Sequence, residues 1–249
     1  MVHLKSKSWL DHNGKELPDW QQDAFHKFGH MIADDERMYP CIPGRQGYLT
    51  DSLRFGFAAD PRSDQAIDET AQLLHQYGEC SRDTGRYASL VIFFETPEDM
   101  TANFTVEDYE QVFWSVLSRV SAKDPVPWPA HIPQDPSHHA WEFCYSGHPY
   151  FAFCGTPAHQ VRRSRWTPYF LITFQPRWVF EEINDSTVFG RNMKSLIRQK
   201  LVEYDGVPAH PSLKWYGQTD NLEWEQYFLR DDESVAPKCP FASMAMKKK

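Results

Sequence analysis

Residues 141–175 read WEFCYSGHPYFAFCGTPAHQVRRSRWTPYFLITFQ, and their pattern decides the fold class. Two aromatic-rich runs, Trp141–Tyr145 and Tyr150–Cys154, have strand composition, and Ser146-Gly147-His148-Pro149 between them has turn composition. A third strand is predicted over Tyr169–Gln175. The intervening segment holds His159, Arg162, Arg163 and Arg165. Buried strands that open into such a loop can hold an anionic ligand, because guanidinium groups stay charged and fork onto carboxylates. His159, as neutral imidazole, can ligate a metal or move a proton. The plainer alternatives are a hydrogen-bonded loop histidine and a solvated basic face.

Working outward, helical spacing of Trp20, Ala24, Phe28 and Ile32 predicts a helix from Asp19 to Ala33. Residues 1–17 are polar and are expected to be a flexible segment. Pro40, Pro43, Gly44 and Gly47 break the next stretch, which reads as a loop leading to a strand at Leu53–Phe57. Ser63 can cap a helix through Tyr77, with Gly78 as its stop. Tyr87–Phe94 is continuously apolar and reads as a buried central strand. Thr105 and Asp108 have capping-box spacing ahead of a helix with Tyr109, Phe113, Val116, Leu117 and Val120 on one stripe. Residues 123–140 hold five prolines and cannot be regular structure. Ser186–Tyr204 reads as the clearest helix, with Phe189, Met193, Leu196, Ile197 and Leu201 on one face. The chain from Gly206 is irregular and aromatic, and residues 242–249 are expected to form a disordered basic tail. Helices mixed with hairpin-linked strands give an α+β fold, a single domain over 18–241 whose mixed or antiparallel sheet is flanked by helices.

The net charge of −8 and the lack of a long basic stripe argue against nucleic acid as a partner. No apolar run reaches the roughly 20 residues needed to cross a bilayer, and the first residues lack an apolar export core. A cytoplasmic protein without a membrane partner is the expectation. The five cysteines are odd in number and contain no CxxC pair, consistent with reduced thiols.

Other ligand candidates are His148 in the predicted turn and the adjacent His138 and His139, although no HxH, HxxxH or HExxH spacing links them. Cys41 in YPCIPG and Cys239 in KCPF are possible thiolates, with burial as small apolar residues the alternative. GxSxG, P-loop and GxGxxG motifs are absent, which removes several common enzyme classes.

Several segments together resemble the YqcI/YcgG family: YPCIPG (39–44), LRFGF (53–57), YEQVFWSVL (109–117), DPSHHAWEFCYSGHPYFAF (135–153) and TPAHQVRRSR (156–165). FQPRWVFEEI (174–183), IRQKLVEYDG (197–206), HPSLKWYGQTDNLEWEQYFL (210–229) and KCPF (238–241) follow in order. Some members carry an HPxSSRxxR form where this chain has TPAHQVRRSR, so Thr156 stands where those relatives have His. The resemblance implies a haem-dependent oxygenase that hydroxylates or further oxidises the nitrogen of an amino acid, amine or guanidine. It implies haem b, O2, an external electron donor such as a reductase or ferredoxin, and a small nitrogen-containing substrate; a homodimer is an open expectation. On this reading His159 is the iron ligand, with Arg162, Arg163 and Arg165 near the propionates. His139 or His148 is distal, Trp224 and Tyr227 line the haem pocket, and Glu223 and Glu225 meet a cationic substrate. A non-catalytic haem or small-ligand carrier or sensor, and a non-haem metal enzyme, are the competing expectations.

Overall fold

The computed structural model describes residues 2–181 and 183–241. The strands are β1 (Lys5–Ser6), β2 (Leu53–Ala58), β3 (Ser89–Phe94), β4 (Phe143–Tyr145), β5 (His148–Gly155) and β6 (Leu171–Pro176). The helices are α1 (Lys7–Asn13), α2 (Asp19–Ala33), α3 (Ile42–Leu49), α4 (Asp64–Cys80), α5 (Glu98–Asn103), α6 (Val106–Ser121), α7 (Val188–Asp205) and α8 (Trp224–Tyr227). The strands form one sheet in the order β1-β2-β3-β6-β5-β4. β2 and β3 are parallel, joined by the α4 crossover, and the remaining pairs are antiparallel. The fold is α+β with a mixed sheet in one domain.

β3 lies inside the sheet and every one of its residues is buried, as its unbroken apolar run requires. Leu90, Ile92 and Phe94 join the core built with α4 and α6, while Val91 and Phe93 join the core built with α2 and α3. The period of two thus serves two helical layers at once. α6 shows why its sequence is helical: the Thr105–Asp108 capping box is complete, and Tyr109, Phe113, Val116, Leu117 and Val120 are all buried. Ser63 caps α4 through the Ala66 N–H as predicted.

Several expectations need correction. Residues 5–16, read as flexible, form β1, α1 and a short 3-10 turn, with Ser6 accepting from Trp9 N–H and Leu10 buried. The proline-broken stretch after Cys41 is α3, because Pro43 sits in the first turn where its missing N–H costs nothing. α4 runs past Gly78 to Cys80; Gly78 instead makes room for His148, whose Cδ2 would lie 3.0 Å from a Cβ there. The hairpin turn is the two residues Ser146 and Gly147, both at positive φ, so His148 belongs to β5, opposite Tyr145. The basic tail expected at 242–249 lies outside the described residues. Among the described residues no helix is long and apolar enough to cross a membrane.

Candidate functional site

α7 departs most from the helical rule. It has the predicted apolar face, yet Gly190 is its only buried residue, and Phe189 and Leu196 are exposed. Part of that face, Ile197 and Leu201, borders a cavity of about 260 Å³ instead of packing on the sheet. Phe151 and Phe153 of β5 and Gln175 of β6 form the sheet-side wall, and Leu213 and Leu229 contribute from the chain after α7. An adjoining space of about 180 Å³ shares Arg177, Phe180, Ile183, Trp215 and Tyr216 with it. Small-molecule sites run to roughly 300–1,000 Å³, so the combined space lies near the lower bound.

The walls are apolar, but the charges set into them are unbalanced. Arg162, Arg165, Arg177, Lys194, Arg198 and Lys214 border the main cavity against two carboxylates, Asp205 and Glu223. In a chain of net charge −8 this is a local reversal of sign.

The loop between β5 and β6 is pinned into this wall. Thr156 bridges Trp166: its N–H donates to the Arg165 carbonyl, and the Thr156 carbonyl accepts from Thr167 N–H. Ser164 donates to Asp205 through N–H (2.7 Å) and Oγ (2.9 Å), and Tyr39 donates to the Ser164 carbonyl. Arg162 spends its guanidinium on the carbonyls of Arg230, Pro208 and Asp232. Arg165 donates to the carbonyls of Tyr227 and Gln226 and lies 4.2 Å over the Phe153 ring. Burial lowers its pKa to about 10. Both charges face the cavity, but their N–H groups tie the 226–232 segment to the loop. Arg163 is exposed and takes no part in the lining, which corrects its expected role.

His159 is also corrected. It is buried, with Nδ1 2.8 Å from the Thr156 hydroxyl and Nε2 2.8 Å from the Leu229 carbonyl. Both nitrogens are engaged inside the protein and the ring does not border the cavity, so no lone pair is offered to iron. Burial holds its pKa down at about 4. It is a structural histidine. The neighbouring Thr156 is its hydrogen-bond partner.

The remaining predicted residues separate by place. His148 is exposed on β5, and His138 and His139 stack on each other at 4.4 Å on the proline-rich loop; none borders the cavity. Trp224 and Tyr227 are core residues: Trp224 packs on Trp114, and the Tyr227 hydroxyl accepts from Phe143 N–H and donates to the Tyr150 carbonyl. Glu225 accepts from Ser212 Oγ and stays outside the lining. Glu223 does border the cavity, with its oxygens on Arg177, Asn221 and Gln226. Cys41 is in the wall with its thiol pKa raised by burial, whereas Cys239 is buried in the other core. All five cysteines are unbridged. Among the described residues no three His, Cys, Asp or Glu side chains converge as a metal site.

Three residues in the wall were not singled out by sequence. His210, in a Pro-Ala-His-Pro run, is 2% exposed; Nδ1 accepts from Ser212 N–H at 3.1 Å, which puts the ring proton on Nε2. Nε2 makes no hydrogen bond of good geometry, but the Ser234 backbone lies against the ring and favours its protonated form. Burial, with Arg162 and Arg165 beside it, lowers its pKa to about 4, so the ring is neutral at pH 7. Arg177 lies between Glu142 and Glu223 (2.9 Å to the latter) and sits 3.4 Å over the Tyr216 ring. Burial pushes the Glu142 carboxyl up to about 7, against the pull of Arg177. Lys194 of α7 is the third.

Comparison with known proteins gives relatives along nearly the whole chain. The uncharacterised Bacillus subtilis (strain 168) proteins YcgG and YqcI are 54% and 52% identical, covering 96% and 98% of this chain and 94% and 96% of their own. A Streptomyces lavendulae protein with the provisional name N(omega)-hydroxy-L-arginine synthase DcsA is 34% identical over 92% of this chain and 86% of its own. No solved structure matches. Residues 28–242 match the YqcI/YcgG family, so with two relatives above half identity the chain belongs to that family.

Proposed function

We propose that this protein is an oxygenase that hydroxylates a nitrogen of a small guanidine or amine, with haem as its cofactor. The observation that carries the reading is the cavity: apolar walls, a surplus of cationic side chains and one buried neutral imidazole, His210, in the wall. An iron porphyrin is a flat apolar body with two carboxylates, which the apolar walls and surplus cations suit chemically, although spaces of about 260 and 180 Å³ would have to widen to admit it. The name of the Streptomyces relative supports a guanidine nitrogen as the atom oxidised.

His210 would hold the iron through Nε2 only as the tautomer with its proton on Nδ1, which gives up the Ser212 N–H contact, and its low basicity keeps the ring neutral as a ligand must be. Haem, when bound, supplies the activation of O2 with electrons from an external donor, giving an N–OH group and water. The chain's own contribution is orientation and electrostatics. Phe151, Phe153, Ile197 and Leu201 give the cavity its apolar walls, against which the body of a ligand would displace water. Glu223 is the carboxylate at the wall that can meet the substrate's cation, and Arg177 holds it in place.

The test is reconstitution of purified protein with haem, followed by its absorption spectrum and O2 uptake with added arginine or related amines. A Soret band that survives His159→Gln but shifts in His210→Ala is expected. Protein that stays colourless with ample haem would end the reading. A band without substrate-stimulated O2 uptake would leave a carrier or sensor.

A further inference from the structure

The like-charged pair Lys194 and Arg198 stands one turn apart on α7, and both side chains border the cavity. Like charges at this spacing destabilise a helix. Neither has a carboxylate within ion-pair distance among the described residues. Arg198 donates to the Leu213 carbonyl, and Lys194 has no hydrogen-bond partner although its Nζ is buried. The Lys194 ammonium lies 3.9 Å over the Trp215 ring, which is a weak partner for a buried charge. Burial, then Arg198, lowers its pKa to about 8, while Glu223, Asp185 and Asp220 pull it the other way from beyond ion-pair distance. The contrast with Lys214 is direct, since that lysine reaches Asp220 at 3.5 Å. Arg162 and Arg165 cannot serve instead, because their N–H groups are committed to backbone carbonyls.

We infer that Lys194 and Arg198 form a carboxylate-binding subsite at the α7 side of the cavity. The subsite rests on the same cavity as the proposed function, but its ligand chemistry stands on its own: an apolar body bearing a carboxylate. Two sources share that chemistry, the propionates of a porphyrin and the carboxylate of an amino-acid substrate.

The experiment uses the full chain and matched ligand pairs. Naphthalene-2-carboxylate and naphthalene-2-carboxamide, titrated by fluorescence into the protein without haem, test the subsite alone. Wild type should bind the carboxylate about ten- to a hundredfold more tightly. Lys194→Met and Arg198→Met should each reduce that preference, and Lys194→Arg should keep it. Lys194 is half-buried and Arg198 exposed, so these variants are expected to fold; a thermal melt at the wild-type position checks this. Equal binding of acid and amide to wild type, or an unchanged preference in both methionine variants, overturns the subsite. Haem against its dimethyl ester, and arginine against agmatine, then identify the source. A preference for haem that Lys194→Met removes assigns the pair to the propionates, and one for arginine assigns it to the substrate. Discrimination between the naphthalene pair with no haem binding at all would uphold the subsite while sinking the oxygenase.

Discussion

His159 and His210 are both 2% exposed imidazoles, and they differ in what their nitrogens touch. Replacing His159 with Gln leaves the Thr156 hydroxyl and Leu229 carbonyl poorly matched, a loss of about 1–3 kcal/mol that urea unfolding would read. His210→Ala should cost less stability and more ligand affinity. The His159 effect also has a defined pH dependence. Its folded pKa, about 4, lies below the unfolded value near 6.5, so the unfolded chain takes up the proton first as pH falls. The His159 contribution is therefore full above pH 6.5 and fades towards pH 4. The stability gap between wild type and His159→Gln should narrow over that window; a gap that widens would show the ring to be charged in the fold. Glu142 titrates with the opposite sign, its raised pKa giving stability that fades as pH climbs through 7, so the comparison must be between variants at each pH. Arg177→Met would leave Glu142 and Glu223 facing each other in a buried space, at a cost of about 3–5 kcal/mol. Adding Glu142→Gln should recover part of it, a double-mutant cycle that a merely solvated ion pair would not give.

α6 and α7 carry similar apolar stripes and meet different fates. Leu117 is fully buried, so Leu117→Ala should lose about 2–5 kcal/mol, whereas Leu201→Ala at the cavity wall should lose well under half of that. Equal losses in thermal or urea unfolding would show that α7 packs as core. The same contrast explains what periodicity could reveal. Spacing located α2, α4, α6, α7 and the three strands around residues 141–175, because period and capping are local properties. It could not tell which apolar stripe meets the sheet and which borders a cavity. α3 escaped notice because Pro43 and two glycines look like breakers unless the proline's place in the first turn is known. β1 and α1 escaped because their anchors, such as Lys7 N–H to Asp51, lie more than forty residues away.

Across the molecule, the site is assembled from segments around residues 39–41, 151–165, 175–183 and 194–229. The sequence showed that Arg162 and Arg165 sit at a strand end, and they do reach the cavity. It could not show that their N–H groups would be spent on the backbone of residues 208–232. His159 drew attention by its arginine neighbours, while His210 stood among prolines with no charged cluster to mark it. Isolated imidazoles in irregular chain give no signal until the fold shows which nitrogens are left over.

Along the eighteen residues of α7 only Gly190 is buried. A helix with a single buried residue gains little from tertiary burial, so its amides should exchange with solvent far faster than those of β3. A ligand that fills the space beneath Ile197 and Leu201 would supply the contacts the sheet does not. Deuterium uptake in α7 should therefore slow on ligand addition while that of β3 stays constant, making the helix a built-in reporter of occupancy.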